Sequence, residues 1–105
     1  MEASDRNRGP LGPIGQRVVY EDERVRVWEV SLEPGEQQPL HRHLNPYLVI
    51  AVEGGRNVIE NVDGGRREVV EEPGGVVFRE AGEVHTLTNV GTTRYVNRLV
   101  ELKHV

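Results

Sequence analysis

From Gly54 onward, glycine-bearing turns recur every eight to ten residues: Gly54-Gly55, Asp63-Gly64-Gly65, Pro73-Gly74-Gly75, Gly82 and Gly91, with Pro34-Gly35 upstream. Segments of that length suit strands and are short for helices. They are also rich in β-branched and aromatic residues: Val25 and Val27, Val49-Ile50, Val69-Val70, Val76-Val77-Phe78, and the run from Tyr95 to Leu102. No stretch carries a sustained helical period with a cap at each end. The pattern predicts an all-β sandwich or barrel. Asp63-Gly64 reads as a type I′ hairpin turn, because both central positions of that turn need positive φ.

Residues 1–16 break this rhythm. Gly9, Pro10, Gly12, Pro13 and Gly15 stand among few apolar side chains. Such a stretch buries too little to offset its ordering entropy. The expectation is a flexible Gly/Pro-rich arm over 1–16 and a folded barrel over 17–105.

At 105 residues the chain is one domain long and buries roughly two-thirds of its unfolded surface. It has no cysteine, which removes disulfides, thiolate zinc sites and a cysteine nucleophile together. The longest uncharged apolar run, Tyr47–Val52, is far below the roughly 20 residues of a membrane span. Residues 1–16 contain no apolar core of a secretory signal, and the lack of cysteine fits a reducing cytoplasm, the expected location. The net charge is −4, and no basic stripe points to nucleic acid. Arg24/Arg26 and Arg66/Arg67 lie among acids and read as solvated faces.

The histidines carry the chemistry. His41 and His43 are two residues apart, and on a strand such side chains share a face. Pro39 before them and the run Tyr47–Ile50 after them favour a strand. His85 follows on the segment Val84–Val90, while His104 reads as exposed. Neutral imidazole is the commonest ligand of borderline divalent metals. Three such rings converging inside a barrel suit a metal ion.

With these residues in place the chain resembles the cupin superfamily, as a small single-domain member. Gly35, His41, His43 and Gly54 match the spacing of its first motif, and Gly74, Gly82, His85 and Asn89 that of its second. The resemblance implies an antiparallel jelly-roll β-barrel of roughly six to eight strands. It also implies positive φ at the motif glycines, a metal on His41, His43 and His85, and a homodimer. Glu80 replaces the second motif's usual proline. Tyr47 stands where the first motif normally has a ligating glutamate. A phenol of ordinary pKa about 10 is a poor ligand near neutral pH. Tyr47 reads as the candidate catalytic side chain, hydrogen-bonding beside the metal; a metal-bound phenolate and a core aromatic with a capped hydroxyl are the alternatives.

Three neutral ligands leave a divalent ion its full charge, which favours a small anionic or chelating molecule. Three-histidine cupin sites resemble those of thiol and β-diketone dioxygenases with non-haem iron. The expected function is thus a metal-binding cupin acting on or binding a small anionic organic molecule. The ion is iron, nickel, zinc or manganese, and a dioxygenase is one form of this reading. A non-catalytic binding cupin and a metal-free isomerase, in which the histidines act as acid and base, are the alternatives. Tyr47, Val49, Gln37, Asn97 and Arg98 are the residues expected to face the ligand. The parity of Asn97 and Arg98 stays open, since their strand is apolar on both alternations.

Overall fold

The computed structural model describes residues 11–103. Among them are nine strands and no helix, so no helix is long and apolar enough to cross a membrane. The strands are β1 (Arg17–Glu21), β2 (Val25–Leu32), β3 (Gln37–Arg42), β4 (Tyr47–Glu53), β5 (Gly55–Asn61), β6 (Arg66–Glu71), β7 (Val76–Arg79), β8 (Val84–Asn89) and β9 (Tyr95–Leu102). They form an antiparallel jelly-roll barrel of two sheets, in the orders β1-β2-β9-β4-β7 and β3-β8-β5-β6.

Alternation puts one side of each strand inside. On β2 the inner residues are Trp28, Val30 and Leu32; on β4 they are Tyr47, Val49 and Ala51. The apolar β9 is resolved by burial: Tyr95, Asn97, Leu99 and Glu101 face in, and Arg98 faces out to Glu29 at 3.1 Å. Two apolar clusters result. Ile14, Tyr47 and Leu99 with Trp28 and Val49 form one; Val30, Leu32 and Tyr95 with Leu87 form the other.

Three expectations change. First, residues 11–16 are packed where a flexible arm was expected. Gly12 N donates to Leu40 O on β3 at 2.8 Å, and Gln16 N donates to Glu29 O on β2 at 2.9 Å. The segment thus bridges the two sheets, and Ile14 supplies the apolar anchor. Residues 1–10 and His104 lie outside the described residues. Second, the Asp63-Gly64 turn is a three-residue loop. Gly64 N donates to Asn61 O, Asn61 N to Gly65 O, and the positive φ of 99° falls at Gly64. This is the geometry of a type I turn closed by a left-handed glycine. Third, Gly54 is required by crowding instead of positive φ: a Cβ there would collide with Glu71 O.

Candidate metal centre

His41 and His85 are direct cross-strand partners on β3 and β8. His43 lies one residue beyond β3, pinned by its N–H to Glu83 O at 3.0 Å and by Gly82 N donating to its carbonyl at 2.7 Å. Gly82 reaches it from a φ of 109°, a conformation that glycine adopts without penalty. All three rings are buried, with centroids 4.7 to 5.0 Å apart in edge-on pairs.

A local irregularity on β3 aims this group. Between Gln38 and His41 the strand advances three residues while β8 advances two, from Leu87 to His85. The bulge falls at Pro39-Leu40, and proline has no N–H to give to a ladder. It reverses parity, so Gln38 and His41 both point inward. Gln37, expected inside, is exposed and donates from Nε2 to Thr88 Oγ1. Pro39 O, turned out of the ladder, accepts from His41 Nδ1 at 2.8 Å. That bond leaves His41 Nε2 facing the cavity.

Behind His85 stands Glu83, a residue sequence reasoning missed. Its Oε1 is 3.2 Å from His85 Nδ1, an electrostatic contact without hydrogen-bond geometry, and Arg67 holds its Oε2 at 3.0 Å. Arg67, read from sequence as part of a solvated face, is therefore joined to the site. The one signal was position, two residues before a motif histidine. Burial pushes the Glu83 carboxyl up, but His85, Arg67 and Arg79 together outweigh it and hold it below the usual range.

The rings are neutral. Burial lowers His43 to about 3, helped by His41 and His85. Burial likewise lowers His85 to about 4, against the pull of Glu83, and lowers His41. Tyr47 stacks on His43 with centroids 3.9 Å apart and planes 14° from parallel. Burial, with the Glu83 carboxylate adding to it, raises its phenol far from ionisation.

The donor set fits a metal ion. The candidate ligand nitrogens all lie within 4.8 Å of one another. His43 Nε2 and His85 Nε2 are 3.2 Å apart. Two nitrogens bound to one ion at about 2.1 Å each, roughly 100° apart, would stand about 3.2 Å from each other. His43 Nδ1 is buried with no partner among the described residues, so its ring is oriented by its stack on Tyr47 and by Nε2, which lies 3.2 Å from His85 Nε2.

Below the histidines lies a cavity of about 100 Å³. Val49, Leu87 and Leu99 give it apolar walls, Arg79 lines it beside Tyr47, and Asn97 and Tyr95 line it further in. Of the expected ligand-facing residues, Tyr47, Val49 and Asn97 reach it, while Gln37 and Arg98 do not.

Comparison with known proteins agrees with this architecture. The chain is similar to a cupin domain from Bordetella pertussis Tohama I at 28% identity, with a TM-score of 0.78 over 84% of this chain and 91% of that one. It is also similar to a cupin superfamily protein from Desulfitobacterium hafniense DCB-2 (18% identity, TM-score 0.64, 84% and 75% covered). A third similar structure is the polyketide cyclase RemF from Streptomyces resistomycificus (23% identity, TM-score 0.60, 79% and 57% covered). No curated protein matches the chain significantly in sequence. The family described as Cupin domain matches residues 28–97, and the chain belongs to that family.

Proposed function

We propose that His41, His43 and His85 hold one divalent metal ion, and that the protein binds or transforms a small anionic organic molecule at the ion's remaining positions. The observation that carries this reading is the convergence of three buried, neutral imidazoles, with His43 Nε2 and His85 Nε2 3.2 Å apart. Pro39 O accepts from His41 Nδ1, as carbonyls commonly do behind metal-binding histidines, and the Glu83 carboxylate lies 3.2 Å from His85 Nδ1. Arg79 adds positive charge to the same cavity. Iron, nickel, zinc or manganese would supply Lewis acidity there, and iron(II) also the capacity to activate oxygen. This chain's residues would orient the ligand: Tyr47 as a neutral hydroxyl beside the ion, Arg79 as a cation for a carboxylate or enolate.

The metal-free acid–base alternative fits less well. A general base works best with a pKa near the working pH, and burial holds these rings well below it. The test is elemental analysis with a metal titration. One ion per chain is expected, with a rise in melting temperature by mass action. The His41→Ala/His43→Ala double variant should lose both. Unchanged uptake in that variant would remove the proposal.

A further inference from the structure

At the end of the cavity away from the histidines, three polar side chains are joined in one directed chain. Asn97 Nδ2 donates to Tyr95 Oη at 2.9 Å, and Tyr95 Oη donates to Glu71 Oε1 at 2.7 Å. The direction is forced. A carboxylate only accepts, so the single phenol proton goes to Glu71. Tyr95 Oη then has only lone pairs to offer Asn97, which must turn its NH2 toward it. The amide oxygen is left over. Asn97 Oδ1 is buried and has no partner among the described residues, and Asn97 is 3% exposed while lining the cavity. Burial and the Glu71 carboxylate keep Tyr95 protonated, which locks the chain in this sense.

We propose that this floor, Asn97 Oδ1 with the Glu71 carboxylate, is a second binding point that selects ligands bearing a hydrogen-bond donor at the end remote from the metal. The uncommitted polar atoms of the floor are acceptors. A hydroxyl or an ammonium satisfies them. A terminal methyl leaves Asn97 Oδ1 buried without a partner, and a second carboxylate meets acceptors and the charge of Glu71. The two ends of the cavity therefore ask for opposite chemistry: an anionic group toward the histidines and Arg79, a donor toward Asn97 and Glu71. Apolar walls between them suit a short methylene chain. The strand register separates the two levels: Tyr47 pairs with Glu101, whereas Asn97 pairs with Ala51, four residues further along β4. The substrate class is thus a short carboxylic acid with a hydroxyl or amino group at its far end. This inference rests on the reading of the histidines as the metal end.

The test uses matched probes on the zinc-loaded full chain. Straight-chain monocarboxylates of three to six carbons would be compared by calorimetry with their ω-hydroxy, ω-amino and ω-carboxy counterparts. A buried hydrogen bond to a charged or unpartnered group predicts that the best donor-ended probe binds roughly tenfold or more tighter than its methyl-ended match. The dicarboxylates should bind weakest. The ratio between matched probes cancels the metal end, so it reports on the floor. Metal content by elemental analysis reports separately on the histidines. In Asn97→Ala the preference should fall to within about twofold. In Glu71→Gln, a milder change that keeps the acceptor for Tyr95 and adds a donor, the dicarboxylates should gain. Equal affinity for matched probes, a preference retained in both variants, or no binding of any probe would each overturn the proposal.

Discussion

The His43 ring lies flat on Tyr47 and edge-on to His41 and His85, with its Nδ1 buried and unpartnered. A proton is poorly accommodated there. The pKa of His43 drops to about 3 and that of His85 to about 4, from an unfolded value near 6.5. The unfolded chain therefore binds more protons than the native one between these limits. Stability of the metal-free protein should fall as pH is lowered from about 6.5 toward 3, each such histidine contributing up to about 1.4 kcal/mol per pH unit. Denaturant melts at pH 7 and pH 5 check this, and the slope should flatten in His43→Asn. Tyr47 gives a second expectation. Its phenol is held protonated, so it offers the ion no anion. Tyr47→Phe should retain metal at near wild-type stoichiometry and alter ligand affinity several-fold, read by elemental analysis beside calorimetry. Loss of the metal would make Tyr47 a ligand.

The element that most shapes the site is β3 with the segment before β1. The bulge at Pro39-Leu40 gives His41 its orientation and its Nδ1 acceptor. Residues 12–16 then cover that edge, with Gly12 bonded to Leu40 O and Pro13 O accepting from Gln38 Nε2 at 3.4 Å. Ile14 packs on Tyr47 and Leu99, and so on the wall behind His43. Ile14→Ala should cost about 2–4 kcal/mol, the usual range for deleting a large buried aliphatic side chain. Chemical denaturation measures that cost. A loss under about 0.5 kcal/mol would show that the segment contributes nothing to the core.

Across the whole molecule, the outer face of the five-stranded sheet carries an apolar row. Tyr20, Val27, Val100, Leu48 and Phe78 are successive cross-strand partners on β1, β2, β9, β4 and β7. Tyr20 is 55% and Phe78 50% exposed. Arg17, Glu29 and Arg98 flank the row with both signs of charge, as a self-complementary two-fold contact needs. A solvated sheet face is normally polar. We expect this face to meet a second copy of the chain, giving twice the 11.8 kDa of one chain by light scattering at micromolar concentration. Phe78→Asp should return the monomer mass. A wild-type monomer would leave the row without an explanation.

The strands, most of the turns and the three histidines were legible in the sequence because each depends on local pattern. Glycine spacing marks where strands end, β-branched runs mark what lies between, and His41 and His43 share a face on an extended backbone. Long-range placement was not legible. Strict alternation put Gln37 inside, and the bulge at Pro39-Leu40 put Gln38 there instead, because one extra residue reverses parity for everything beyond it. Asn97 and Arg98 could not be ordered, because β9 is apolar on both alternations and only its neighbours β2 and β4 decide which side is core. Ile14 looked like part of a loose arm, because the surface it buries comes from β4 and β9. Glu83 and Arg67 sit on different sheet strands and loops, and only the folded barrel brings that pair behind His85. The sequence alone determined an all-β barrel with a histidine cluster; the tertiary structure alone decided what surrounds that cluster, because side-chain neighbours across sheets are set by register, and register is not a local property.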